Sequence, residues 1–248
     1  MPEFPNLTRA PIIEALVFFQ ADASASWEPR KLRAELIALW PDHTEIQEVQ
    51  SVMMEFRIGD GETPPQELKQ SGVEGLIFRS KTKPTVYQVR RDGFIASWLH
   101  PYQNWDAFRD DATTQWERYA LQSGISNLHS IFVRFINRVE FPIENFSPED
   151  YFTVFPKRPS GIDWQVSNFV QQVEYAIPST NFIIQTTLTR AFDAAPNLVA
   201  FILDTEVKLR TPLSATNASP IEVLAQMRGI KNQAFFGTLT ERAWQRYM

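Results

Sequence analysis

From Val199 to Leu209 apolar and polar residues trade places along the chain. Val199, Phe201, Leu203, Thr205, Val207 and Leu209 fall on one side, while Asp204, Glu206, Lys208 and Arg210 mark the other. A period of two belongs to a strand with one buried and one wet face, which is the habit of antiparallel sheet. The same alternation returns at Ile131, Val133, Phe135, Val139 and Phe141, and at Val52, Met54, Phe56 and Ile58. Sheet buried on one side needs helices to cover that side, so this pattern points to an α+β fold.

The helices are legible by their own period. Between Trp27 and Trp40, Leu32, Leu36 and Leu39 recur at helical spacing and Pro41 ends the run. Trp105, Phe108, Ala112, Trp116 and Tyr119 form one stripe of a second helix, whose aromatics are expected in the core. Ser219-Pro220-Ile221-Glu222 places a capping hydroxyl, a proline and an acid where a helix starts, with a break expected near Gly229 or Gly237. Ser147-Pro148-Glu149-Asp150 starts a short helix.

Further strands are expected at 11–20, 75–79, 85–91, 94–99, 165–177 and 182–190, with Asp92-Gly93 as a hairpin turn and 59–71 as a loop. Read in order, the elements suggest two similar β-α-β-β-β-α halves, residues 1–125 and 126–248. Each is an antiparallel sheet backed by a long helix, or the two form one continuous domain.

A chain of 248 residues with 44% apolar content can bury a core without covalent staples. It has no cysteine, which excludes disulfides, thiolate metal sites and cysteine nucleophiles. The opening MPEFPNLTRAPIIEALVFF has no basic leader, and Glu14 interrupts its apolar run, so a cytoplasmic protein without a membrane anchor is expected. A formal charge of -5 disfavours a broad nucleic-acid surface. Phosphate-cradling glycine loops, a nucleophile elbow and paired-histidine metal motifs are missing, and His43, His100 and His129 stand singly. No cofactor, metal or catalytic residue is expected on this reading.

Candidate sites are therefore few. In VRFINR, Arg134 and Arg138 share one face of a strand, about 13 Å apart at four residues of rise, and can present two forks to an anion or an acidic partner, or pair with nearby acids. Asn137 falls on the apolar face, where an amide needs a backbone partner. Arg90 and Arg91, with Arg79, Lys81 and Lys83, form a second basic group that suits an anion or a solvated face equally. Glu14 needs a counter-charge, for which Arg134 or Arg138 is the expected partner.

Three stretches, PNLTRAPIIEALVFF, VRFINRVEFP and MRGIKNQAFFGTLTERAWQRY, resemble a sporadically distributed bacterial family of roughly 250-residue proteins with no assigned biochemical function. The resemblance implies shared positions at Asn6, Ala10, Pro11, Ile12, Glu14 and Ala15, at Arg134, Asn137 and Arg138, and at Asn232, Phe235, Phe236, Thr240 and Glu241. Glu14, Asn137, Asn232 and Glu241 are read as structural polar groups. The family's patchy distribution resembles that of mobile accessory genes. Together these readings favour a non-enzymatic protein-binding accessory or neutralising component of a bacterial defence or toxin-antitoxin locus. The alternative is a small-molecule or nucleotide-binding enzyme with an anion pocket between sheet and helices, and the third reading is a nucleic-acid binder.

Overall fold

The computed structural model describes residues 4–22, 27–54, 68–125, 127–157, 159–161, 166–216 and 218–248, with side chains left out at 51–54 and 68–71. Nine strands build one antiparallel sheet. They are β1 (Ile12–Ala21), β2 (Glu45–Met54), β3 (Leu68–Arg79), β4 (Thr85–Arg90), β5 (Gly93–Leu99), β6 (Leu128–Pro142), β7 (Val170–Ala176), β8 (Phe182–Ala191) and β9 (Leu198–Leu209). Their order across the sheet is β2-β3-β4-β5-β1-β6-β9-β8-β7.

The expected pair of sheets is thus a single one, joined where β1 lies along β6 with Val17 opposite Val133. The reason is edge chemistry. Both strands are long and apolar on their inner side, and either one left at an edge would expose a row of unpaired backbone groups. Neither half follows the expected element order. Four strands follow the first helix, and the second half has only a 3-10 turn, Pro148–Asp150, in place of one.

The helices are α1 (Pro29–Leu39), α2 (Trp105–Ser123), α3 (Pro220–Thr238) and the short α4 (Glu241–Trp244). Leu36 and Trp40 from α1 and its cap, Phe108, Ala112 and Tyr119 from α2, and Val223, Leu224 and Met227 from α3 share one core with Ala15, Val17, Phe19, Ile131, Val133 and Phe135 of the sheet. The aromatic stripe of α2 is part of that core, as its spacing indicates, with Trp116 stacked on Phe19 at 5.3 Å between ring centres. α2 is also pinned by polar contacts. Asp111 accepts hydrogen bonds from Trp98 Nε1 at 2.7 Å, from Tyr87 Oη at 2.9 Å and from Gln115 Nε2 at 3.3 Å.

Several local expectations meet the structure in detail. The Asp92-Gly93 turn is present, and Gly93, at φ 145°, leaves no room for a side chain because a Cβ would lie 2.1 Å from the Phe19 carbonyl. α3 begins with the reciprocal Ser219–Glu222 capping box. It runs through Gly229 and ends at Thr238, next to Gly237, with Trp244 on the separate α4, so the break falls at the second of the two expected places. A mid-helix glycine costs only about 1 kcal/mol, which the burial of Val223, Leu224, Met227 and Phe235 offsets. β3 starts at Leu68, inside the expected loop, and β7 starts at Val170 rather than at 165. Phe56, Ile58 and residues 59–67 lie outside the described residues. No described helix is long and apolar enough to cross a membrane.

Candidate functional site

The helix-free face of the sheet carries the two arginines singled out from the sequence, and acids of their own chain engage both. Arg134 Nε donates to both carboxylate oxygens of Asp204, at 2.9 and 3.0 Å. Arg138 donates to Glu140 at 2.8 Å and to Asp193 at 2.7 Å. These partners hold both guanidinium groups above their ordinary pKa. Glu14 makes no salt bridge to either arginine and adds only a weaker field at Arg134, because Asp204 of β9, Glu140 of β6 itself and Asp193 beyond the end of β8 already supply the acids. Arg90 pairs with Asp92 at 3.0 Å and, with Arg91, His129 and Arg210, borders a broad open depression at the sheet end. Glu241 sits in the first turn of α4, where it accepts a bond from Gln245.

The inner face presents something different. On β6 and β9 the apolar side is interrupted at Asn137 and Thr205, and pairing of Phe135 with Thr205 and of Asn137 with Leu203 makes the two interruptions neighbours. Asn137 donates to the Leu203 carbonyl at 3.2 Å and more loosely to Phe135 O at 3.4 Å, so the buried amide has the backbone partner it needs. Asn137→Ala is expected to cost about 1 to 3 kcal/mol, the usual consequence of stripping donors from a buried amide site. Urea unfolding of the variant checks this.

Above these residues α3 passes with Arg228, Lys231, Asn232, Phe235 and Phe236, spaced so that they share one side of the helix. Between them and the sheet lies a cavity of about 320 Å³, the lower end of the usual range for small-molecule sites. Tyr102 and Trp105, at the entry to α2, form another wall, and Phe4, Asn6, Leu7 and Pro11 of the N-terminal segment close it. Phe4 stacks on Phe236 at 5.1 Å, which ties that segment to α3. The three stretches quoted from the sequence meet here. Asn6, Ala10, Pro11, Ile12, Asn137, Asn232, Phe235 and Phe236 all line the cavity, whereas Arg134 and Arg138 do not.

The cavity holds a cation that makes no salt bridge among the described residues. Lys231 is half-buried as a residue. Its Nζ donates to Asn232 Oδ1 at 2.7 Å and lies 4.0 Å from the centre of the Phe135 ring. Among the described residues no carboxylate forms a salt bridge to it, and desolvation, helped by Arg228 on the same helix, pushes its pKa down to about 7. The one acid in the described lining, Asp106, is engaged by Arg109 at 2.9 Å and lies 4.0 Å from Arg228.

Two lining hydroxyls, Tyr102 Oη and Thr205 Oγ1, are buried without a hydrogen-bond partner among the described residues. Polar groups are seldom left so unless something else satisfies them. Arg228 and Lys231 escaped the sequence reading, and Thr205 entered it only as one of the buried positions of β9. The available signal was a polar residue on an otherwise apolar strand face and two cations spaced three apart beside the buried stripe of α3.

No group of three or more metal-binding side chains occurs among the described residues. Comparison with family models, with curated proteins and with solved structures returns no match.

Proposed function

We propose that the chain binds a small anionic molecule with a flat apolar body in the cavity between the sheet and α3. The observation that carries this reading is Lys231, a cation whose contacts in the cavity are an amide and a ring, while the one carboxylate of the described lining, Asp106, is engaged by Arg109. An anion supplies the missing charge. Arg228 adds a second positive group at the same wall, Asn6, Asn137 and Asn232 supply amides, and Trp105 and Phe135 supply aromatic surface. Tyr102 Oη and Thr205 Oγ1 then find acceptors on the ligand.

This is the anion-pocket alternative of the sequence reading, relocated from Arg134 and Arg138 to the other face of the sheet. The protein-partner reading took those two arginines as its candidate face, and their charge is already met within the chain. An anion held in this way suits a receptor and an enzyme alike.

Thermal shift and calorimetry with benzoate, phenyl phosphate and inorganic phosphate test the proposal. At least one of these is expected to raise the melting temperature in wild type. Thr205→Val removes an unpartnered hydroxyl and is expected to keep or raise stability while weakening that response. Binding to neutral Lys231 above pH 7 should be accompanied by proton uptake, read from the buffer dependence of the heat. A flat response to all three anions, or a response unchanged in both Thr205→Val and Lys231→Met, overturns it.

A further inference from the structure

We propose that the Lys231 amine condenses with a carbonyl group of the bound anion, which makes this cavity a Schiff-base site for small 2-oxo acids. The inference rests on the anion reading above and specifies its ligand class.

A lysine that serves only as a counter-ion is usually held by an acid or left in water. Lys231 has neither arrangement, since its Nζ is fixed between the Asn232 side-chain oxygen and the Phe135 ring. As a neutral amine it donates one N–H to Asn232 Oδ1 and keeps its lone pair for a carbonyl carbon. Desolvation and a neighbouring cation are the two devices by which a lysine is made nucleophilic near neutral pH, and both act here.

The groups facing Lys231 can be named from each element. Arg228 comes from its own helix, Asp106 and Tyr102 come from the entry to α2, and among the described residues β6, β9 and the N-terminal segment contribute only uncharged side chains to the lining. Arg228 therefore has two roles. It disfavours the protonated lysine, and it holds the carboxylate of the ligand beside it.

The chemistry balances without any redox partner. The Nζ lone pair attacks the carbonyl carbon and the π electrons move to oxygen. A proton passes from nitrogen to that oxygen to give the carbinolamine. The hydroxyl then leaves with a further proton as water while the C=N bond forms, so amine and ketone give imine and water. Tyr102, whose Oη is buried without a partner and whose pKa is raised by burial, is the proton carrier on the cavity wall.

The test is borohydride trapping on the full chain. Pyruvate and phenylpyruvate are incubated with the protein, sodium borohydride is added, and intact mass and peptide maps are read. The expected product carries the mass of the keto acid less one oxygen atom, on Lys231. It forms on the order of tenfold or more faster than on any exposed lysine, whose amine is almost wholly protonated at pH 7. Lactate, which has the carboxylate but no ketone, should slow trapping by competition. Lys231→Arg keeps the charge and should lose the adduct, and the wild-type comparison among lysines stands even if that variant folds poorly.

Trapping spread evenly over surface lysines overturns the imine, as does its absence from Lys231 when lactate or benzoate still shifts the melting temperature. In that second case the anion reading survives. When neither binding nor trapping occurs, both fall.

Discussion

Asp111→Ala is expected to lower the stability of the fold by about 3 kcal/mol, which for a chain of this size is a drop of roughly 10 °C in melting temperature. The carboxylate is the common acceptor for Trp98 Nε1, Tyr87 Oη and Gln115 Nε2, so one truncation strands donors on β4, β5 and α2 together. Trp40, which donates to Gln115 Oε1 at 2.9 Å, loses an orienting neighbour at one remove. Asp111→Asn keeps an acceptor oxygen and should recover a large part of the loss. Differential scanning calorimetry separates the outcomes. An alanine variant that melts with the wild type would show that these donors find water instead, and that α2 is held by its aromatic stripe alone.

Lys231→Met is expected to stabilise the protein below pH 7 and to lose that advantage as the pH climbs. The unfolded lysine titrates at its ordinary 10.5, while the folded one is pushed down to about 7. Below 7 both states are charged, and the full penalty of holding the charge in the cavity is present. Between about 7 and 10.5 the unfolded state binds more protons, so wild-type stability rises with pH. Above 10.5 the amine is neutral in both states and the penalty is gone.

The methionine variant lacks this slope, and the difference curve isolates Lys231 from every other titrating group. The gain below pH 7 should be on the order of 2 kcal/mol, less than the whole shift implies because the flexible stem lets the ammonium relax toward water. Urea unfolding from pH 6 to 10.5 measures it. A difference curve flat in pH would mean that the lysine head is already solvated.

The sheet was legible because its signal is local. The alternation at Val199 to Leu209 and the aromatic stripe of α2 each report which side of one element is buried, and neither needs to know its neighbours. The capping box at Ser219 and the Asp92-Gly93 turn are local in the same sense. The union of the halves was not, since β1 and β6 carry no mark in their own residues that they pair with each other.

The cavity was less legible still. Asn137 and Asn232 were noticed, but each was read by itself as a structural amide. Lys231 looks in sequence like any other helical lysine. Its meaning comes from Phe135 beneath it and from the engagement of Asp106 by Arg109, and both are facts about other elements. Arg134 and Arg138 drew attention for the converse reason, because strand spacing showed their shared face but hid Asp204 and Asp193.

Phe4 stacked on Phe236, and Pro11 and Asn232 lining one small space, have a consequence for biosynthesis. The chain leaves the ribosome in order, and the walls of the cavity come from its first dozen residues and from α3, more than two hundred residues later. Most of the sheet can pair before α3 emerges, so Lys231 reaches walls made earlier from Tyr102, Phe135 and Thr205. A ligand held there as proposed would find no cavity until α3 has emerged, and would act on folding only as a late lock, stabilising chains that have already assembled β1, β6 and β9.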